Sequence, residues 1–143
     1  MNFKIPAKLQ DCIEQGLWPA SEAEAEDQGP CRYLSIAQLR SFAPDESEIH
    51  LFAPPFHKAR DFLQCEEASE VLAEWAAADI DQDALLIIAD FGLEHETVLA
   101  LDYSSDNREP RVVRLQWRLP DLPNRWLVVA DTFEQFWTGL GSN

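Results

Sequence analysis

The feature that constrains this chain most is the hydrophobic pattern of its C-terminal half. Leu85 to Ala89 is a continuous apolar run bounded by Phe91-Gly92, the pattern of a strand buried on both faces. Val98 to Tyr103 and Val112 to Trp117 then alternate with period two, as pleated strands do, and the alternation sets Leu99, Leu101 and Tyr103 with Val113, Leu115 and Trp117 on one side. The polar segment Ser104 to Pro110 joins them as a hairpin. Trp126 to Ala130 reads as a further strand after the Pro120/Pro123 turn. A helix closes the chain: Asp131 and Glu134 have capping-box spacing, and Phe133, Phe136, Trp137 and Leu140 form an apolar stripe ending at Gly139 and Gly141.

Helical periodicity governs the N-terminal half. Ile5, Leu9, Cys12, Ile13 and Leu17 recur at helical spacing, with Pro6 in the first turn and Gly16 near the stop. Ser21 to Pro30 is acidic and contains Gly-Pro, which predicts an exposed, partly helical connection. Ser35 stands where it would cap a short helix ending before Pro44. A strand follows at Glu48 to Ala53, stopped by Pro54-Pro55. Glu66 to Ala78 is helical again: Ala68, Val71, Leu72 and Trp75 make the apolar stripe, and Glu66, Glu70 and Glu74 stack on another face. That row is either a solvated face or a binding face. With no internal repeat, the 143 residues read as a single domain.

Charge is the strongest global signal. There are 26 acids against 11 bases, a net charge of -15, and no Lys or Arg lies between Arg60 and Arg108 while thirteen Asp and Glu do. Such a field repels nucleic acid and anionic membrane and steers a basic partner inward, although acidity also keeps soluble proteins dispersed. No apolar run is long enough for a membrane span and the N-terminus lacks signal-peptide character, so the expected compartment is the cytoplasm. Cys12, Cys31 and Cys65 are odd in number and widely spaced, which predicts reduced packing residues rather than disulfides or a zinc knuckle.

Motifs that would carry chemistry are incomplete. Asp90-Phe91-Gly92 spells the metal-binding triplet of protein kinases, but the glycine-rich loop, strand lysine and catalytic-loop Asp and Asn are missing from the sequence. Asp79, Asp81 and Asp83 imitate the start of a calcium loop, yet Ala84 replaces its glycine, Asp90 its bidentate Glu, and Leu85 to Ile88 favour a strand. Glu94-His95-Glu96 offers an acid and a base, but an exposed polar turn after Gly92 explains it more simply. His50 and His57 flank Pro54-Pro55 without a third ligand nearby in sequence. If Tyr103 pairs with Arg111, Asp102 lies diagonally near Arg114, and a cross-strand ion pair is favoured over a functional carboxylate. The expectation is no catalytic residue, no metal and no cofactor.

Ala89-Asp90-Phe91-Gly92-Leu93, Leu99-Ala100-Leu101-Asp102-Tyr103, Pro110 to Leu115, Gln116-Trp117, Asn124-Arg125-Trp126 and Phe133 to Trp137 follow one another in a pattern that resembles the SUKH superfamily. These are bacterial immunity proteins related to fungal cell-wall synthesis regulators. The match runs from Leu85 to Leu140, while Cys31 to Phe42 and Ile49 to Phe56 look like the family's earlier elements and the first 30 residues carry no motif. The resemblance implies an α+β fold, with a mixed or antiparallel sheet packed by helices, and an activity of binding and neutralising a cognate polypeptide toxin such as a nuclease. Glu94-His95-Glu96 departs from the family, where a shorter polar turn is expected. The charge pattern makes Glu66, Glu67, Glu70, Glu74, Asp79, Asp81, Asp83, Glu94, Glu96 and Asp106 the candidate partner-binding residues, and a basic toxin the expected partner. A regulatory scaffold of the cell-wall signalling type and a small hydrolase are the alternatives.

Overall fold

A computed structural model describes residues 4–26, 33–44, 48–59, 83–91, 98–104, 109–116 and 125–140. These form an α+β fold with helices α1 (Ala7–Glu14), α2 (Glu22–Glu26), α3 (Ile36–Phe42) and α4 (Phe133–Gly139) and strands β1 (His50–Leu51), β2 (His57–Lys58), β3 (Leu85–Asp90), β4 (Val98–Asp102), β5 (Arg111–Gln116) and β6 (Arg125–Ala130). Every strand pairing is antiparallel, in the order β1-β3-β4-β5-β6, and β2 pairs with the same rim of β3 as β1.

The rim is one edge strand split in two. Leu51 pairs with Ala89 but His57 with Ile87, so six residues of edge cover two of β3 and four are looped out around Pro54-Pro55. The Pro54-Pro55 bond is cis. β1 is shorter than the Glu48 to Ala53 strand expected, although the Phe52 N–H still reaches the Ile88 carbonyl at 2.9 Å.

β3 is buried on both faces, as its unbroken apolar run requires. Leu86, Ile88, Ala89, Phe91, Leu99, Leu101, Tyr103 and Val112 lie in one core with Leu9 and Cys12 of α1, Leu39 of α3, and Phe133 and Phe136 of α4. Leu85, Ile87, Val98, Ala100, Val113 and Leu115 form a second core with Ala59, flanked by Phe52 and Trp126. Ile88 and Ala89 share the helix side because the register with β4 shifts there, which places two successive side chains on one face.

This register corrects the expected hairpin. Asp102 faces Arg111 and Leu99 faces Arg114, one residue away from the pairing of Tyr103 with Arg111. A slip of one exchanges the two faces of a strand. Val113 and Leu115 therefore lie opposite the Leu99, Leu101 and Tyr103 side, and Arg114 is buried on the Leu99 side. Trp117 is outside the described residues, as are Cys31, Cys65 and the expected helix of Glu66 to Ala78.

The helix termini follow local chemistry. Ser35 accepts from the Gln38 N–H at 3.1 Å and the Gln38 side chain accepts from the Ser35 N–H at 2.9 Å, a complete capping box. α1 ends at Gly16, whose φ of +77° lets the Gly16 and Leu17 N–H groups return to the Ile13 and Cys12 carbonyls. That turn leaves Leu17 44% exposed, and Trp18 enters the core in the place expected for Leu17. At α4 the cap is Thr132 rather than Asp131, its hydroxyl accepting from the Gln135 N–H at 3.1 Å.

Candidate functional site

α2 and the split rim face each other across a groove of about 360 Å³. Its walls are Glu22, Ala25 and Glu26 on one side and His50, Phe52, Ala53, Pro54, Pro55, Phe56 and His57 on the other, with Ile87 of β3 also lining it. The local sequence explains the shape. The edge advances six residues from Leu51 to His57 while β3 advances two, so the excess of four leaves the ladder and brings Pro54, Pro55 and Phe56 toward α2. Ala25 is buried while Glu22 and Glu26, one turn apart, are exposed at the rim.

Phe52 is held from two directions. The Trp18 indole N–H donates to its carbonyl at 2.8 Å, and the His50 ring meets its ring edge-on at a centroid distance of 5.9 Å. Trp18 is itself fixed by Phe133 and Trp137, at 5.9 and 6.2 Å. The groove wall is thus tied to the core beneath α1 and α4.

A second polar feature lies one strand further in, where the end of β4 pairs with the start of β3. The Asp102 carboxylate, fully buried, accepts from an Arg111 terminal nitrogen at 2.5 Å and from the Ser104 N–H at 2.9 Å, while Arg111 remains 38% exposed. Burial pushes the Asp102 carboxyl up, but the hydrogen bonds from Arg111 and Ser104 and the Arg111 charge together outweigh it, so the group sits below its ordinary value of 3.8. The ion pair expected for Asp102 is present, with Arg111 in place of Arg114. A carboxylate held ionised by a neighbouring guanidinium is a poor proton carrier near neutral pH, so this is a structural clasp. Burial likewise raises the phenol of Tyr103, whose hydroxyl donates to the Lys4 carbonyl at 2.9 Å and pins the start of the chain to β4.

Asp90 ends β3 and Phe91 is buried in the helix-side core, so the first two residues of the kinase-like triplet are a strand end and a packing residue, and Gly92 lies outside the described residues. Among the partner-binding candidates only Asp83 lies within the described residues, exposed just before β3. Glu66, Glu67, Glu70, Glu74, Asp79, Asp81, Glu94, Glu96 and Asp106 lie outside them, with His95. The start of β3 at Leu85 agrees with reading Leu85 to Ile88 as strand rather than calcium loop. Among the described residues no group of three or more His, Cys, Asp and Glu is arranged to hold a metal, and no helix is long and apolar enough to cross a membrane. His50 and His57, singled out for lacking a third ligand, line the groove.

Comparison with protein-family models, with curated proteins and with solved structures finds no match. The functional reading therefore rests on the residues.

Proposed function

We propose that this chain is a non-enzymatic immunity protein of the SUKH type, which binds a basic polypeptide toxin and holds it inactive. The observation that carries the reading is the imbalance of exposed charge. Asp11, Glu14, Glu22, Glu24, Glu26, Glu48, Asp83, Glu109, Asp131 and Glu134 are exposed, whereas the bases exposed among the described side chains are Lys4 and Arg40. Lys8, Lys58 and Arg111 are half-buried and Arg114 is buried. Acids spread over three helices and several loops attract a basic surface from many approach directions. The sequence pattern from Leu85 to Leu140 and the antiparallel sheet with its helix layer support the same reading.

The test is co-expression with each polypeptide encoded in the flanking genes. One of them should arrest growth alone, be silenced by this chain and copurify with it. Its association should slow steeply with salt, since the screening length falls from about 10 Å at 0.1 M to about 3 Å at 1 M. Charge reversal at Glu70 and Glu74 should lower the on-rate more than reversal at Asp11 and Glu14. If no flanking product is both toxic and bound, or if the on-rate ignores salt, the proposal is wrong.

A further inference from the structure

The groove between α2 and the split rim has the chemistry of a receptor for one cationic side chain. Its lining combines aromatic and proline surface with two carboxylates at the rim: Phe52, Phe56, Pro54 and Pro55 against Glu22 and Glu26. Neither carboxylate has a hydrogen-bond or ion-pair partner among the described residues, and like charges one helical turn apart repel. A helix of five residues gains nothing from that repulsion. The charge complement of the pair is a cation placed between them, and the rest of the lining requires that cation to arrive on an apolar stem.

We propose that this groove receives an arginine side chain of a polypeptide partner, the guanidinium reaching Glu22 and Glu26 and the methylene stem lying on Phe52 and Phe56. Arginine fits better than lysine because its planar group takes two carboxylate contacts at once and stacks on aromatic faces, whereas an ammonium is a compact, strongly hydrated point charge. At about 360 Å³ the groove is at the small end of ligand sites, room for one long side chain and its adjoining backbone. That the arginine belongs to a toxin rests on the immunity reading above; the site itself rests on the groove.

The experiment uses the full chain, isotopically labelled, and two probes followed by nuclear magnetic resonance: N-acetyl-arginine methylamide and its neutral isostere, N-acetyl-citrulline methylamide. The arginine probe should give saturable shifts concentrated at Glu22 to Glu26 and His50 to His57, and the citrulline probe should bind at least about fivefold more weakly, the discrimination a charge-assisted contact provides. The double variant Glu22→Gln/Glu26→Gln, both positions exposed, should keep its fold and reduce arginine binding to the citrulline level. Shifts absent from the groove, or equal binding of the two probes, overturn the site. A flanking-gene toxin that binds the double variant and Phe56→Ala as tightly as the parent also overturns it while leaving the immunity reading intact. Arginine binding in the groove, with no toxin found, keeps the site and removes the immunity reading.

Discussion

Replacing Arg111 with Met tests the Asp102 clasp, because it keeps most of the side-chain stem and removes the guanidinium. The cation is 38% exposed, so its Coulomb attraction is screened and contributes less than about 1 kcal/mol. The larger effect falls on the carboxylate left behind, which is fully buried and retains its bonds from Ser104 alone. A buried acceptor deprived of its partner costs about 1–3 kcal/mol. The pair is held through one terminal nitrogen, and the Arg111 Nε is buried without a hydrogen-bond partner among the described residues, which favours the middle of that range. The expected loss at pH 7 is about 2 kcal/mol, roughly a thirtyfold change in the folding constant. Its pH dependence is the sharper test. In the parent the folded carboxyl lies below its ordinary 3.8, so its contribution is present above the unfolded value and is lost as pH falls through the folded one. Without Arg111 burial faces less opposition, the folded carboxyl rises, and acid neutralises it within the fold. The gap between the two proteins should therefore be widest near neutrality and narrow as pH falls from about 5 to about 3. Urea unfolding followed by tryptophan fluorescence measures it. A gap below about 0.5 kcal/mol at pH 7, or one that does not change with pH, would refute the reasoning and reduce the pair to a screened surface contact.

Three further outcomes are expected. Trp18→Phe removes the indole donor from the Phe52 carbonyl and should lower stability by about 2 kcal/mol in denaturant melts while loosening the groove wall, visible as shifts at His50 and Phe52; an unchanged melt contradicts the link. Burial pushes the Cys12 thiol up to about 11, with Lys8 lowering it and Asp11 raising it by less. Its contribution should be complete below the ordinary 9.0 and be lost as pH rises toward 11, so the parent should decline more over that window than Cys12→Ala, and peptide mapping after a thiol reagent at pH 8 should find Cys12 labelled only after unfolding. Gly16→Ala places a Cβ in open space at a φ of +77°, so calorimetry should show a backbone cost alone, about 1 kcal/mol; a much larger loss would contradict an open turn.

What the sequence made legible followed from local rules. β3 was readable because an apolar run needs no partner to be recognised, and α3 because a capping box is complete within four residues. The faces of β4 and β5 were not, since each strand carries buried residues on both sides and alternation alone does not say which strand atoms pair. The shift at Ile87/Ala89 and the irregularity between Val112 and Val113 are long-range features of the ladder. Trp18 was missed for a related reason: it follows the Gly16 turn, where helical spacing no longer predicts direction. The groove joins segments some 30 residues apart, and its only sequence trace is the pair of histidines and phenylalanines placed around Pro54-Pro55.

The four residues looped out of the rim also bear on how such a protein can diverge. An insertion inside β3 would slip its pairing and turn side chains over on both neighbours. Between Leu51 and His57 the chain can grow or shrink while Leu51 stays on Ala89 and His57 on Ile87, because the excess leaves the ladder at its margin. Closing a slightly longer loop adds only a fraction of a kcal/mol. The stretch that makes one wall of the groove is therefore the stretch whose length the sheet tolerates changing. That wall can therefore be recut, residue by residue, while the two cores stay as they stand.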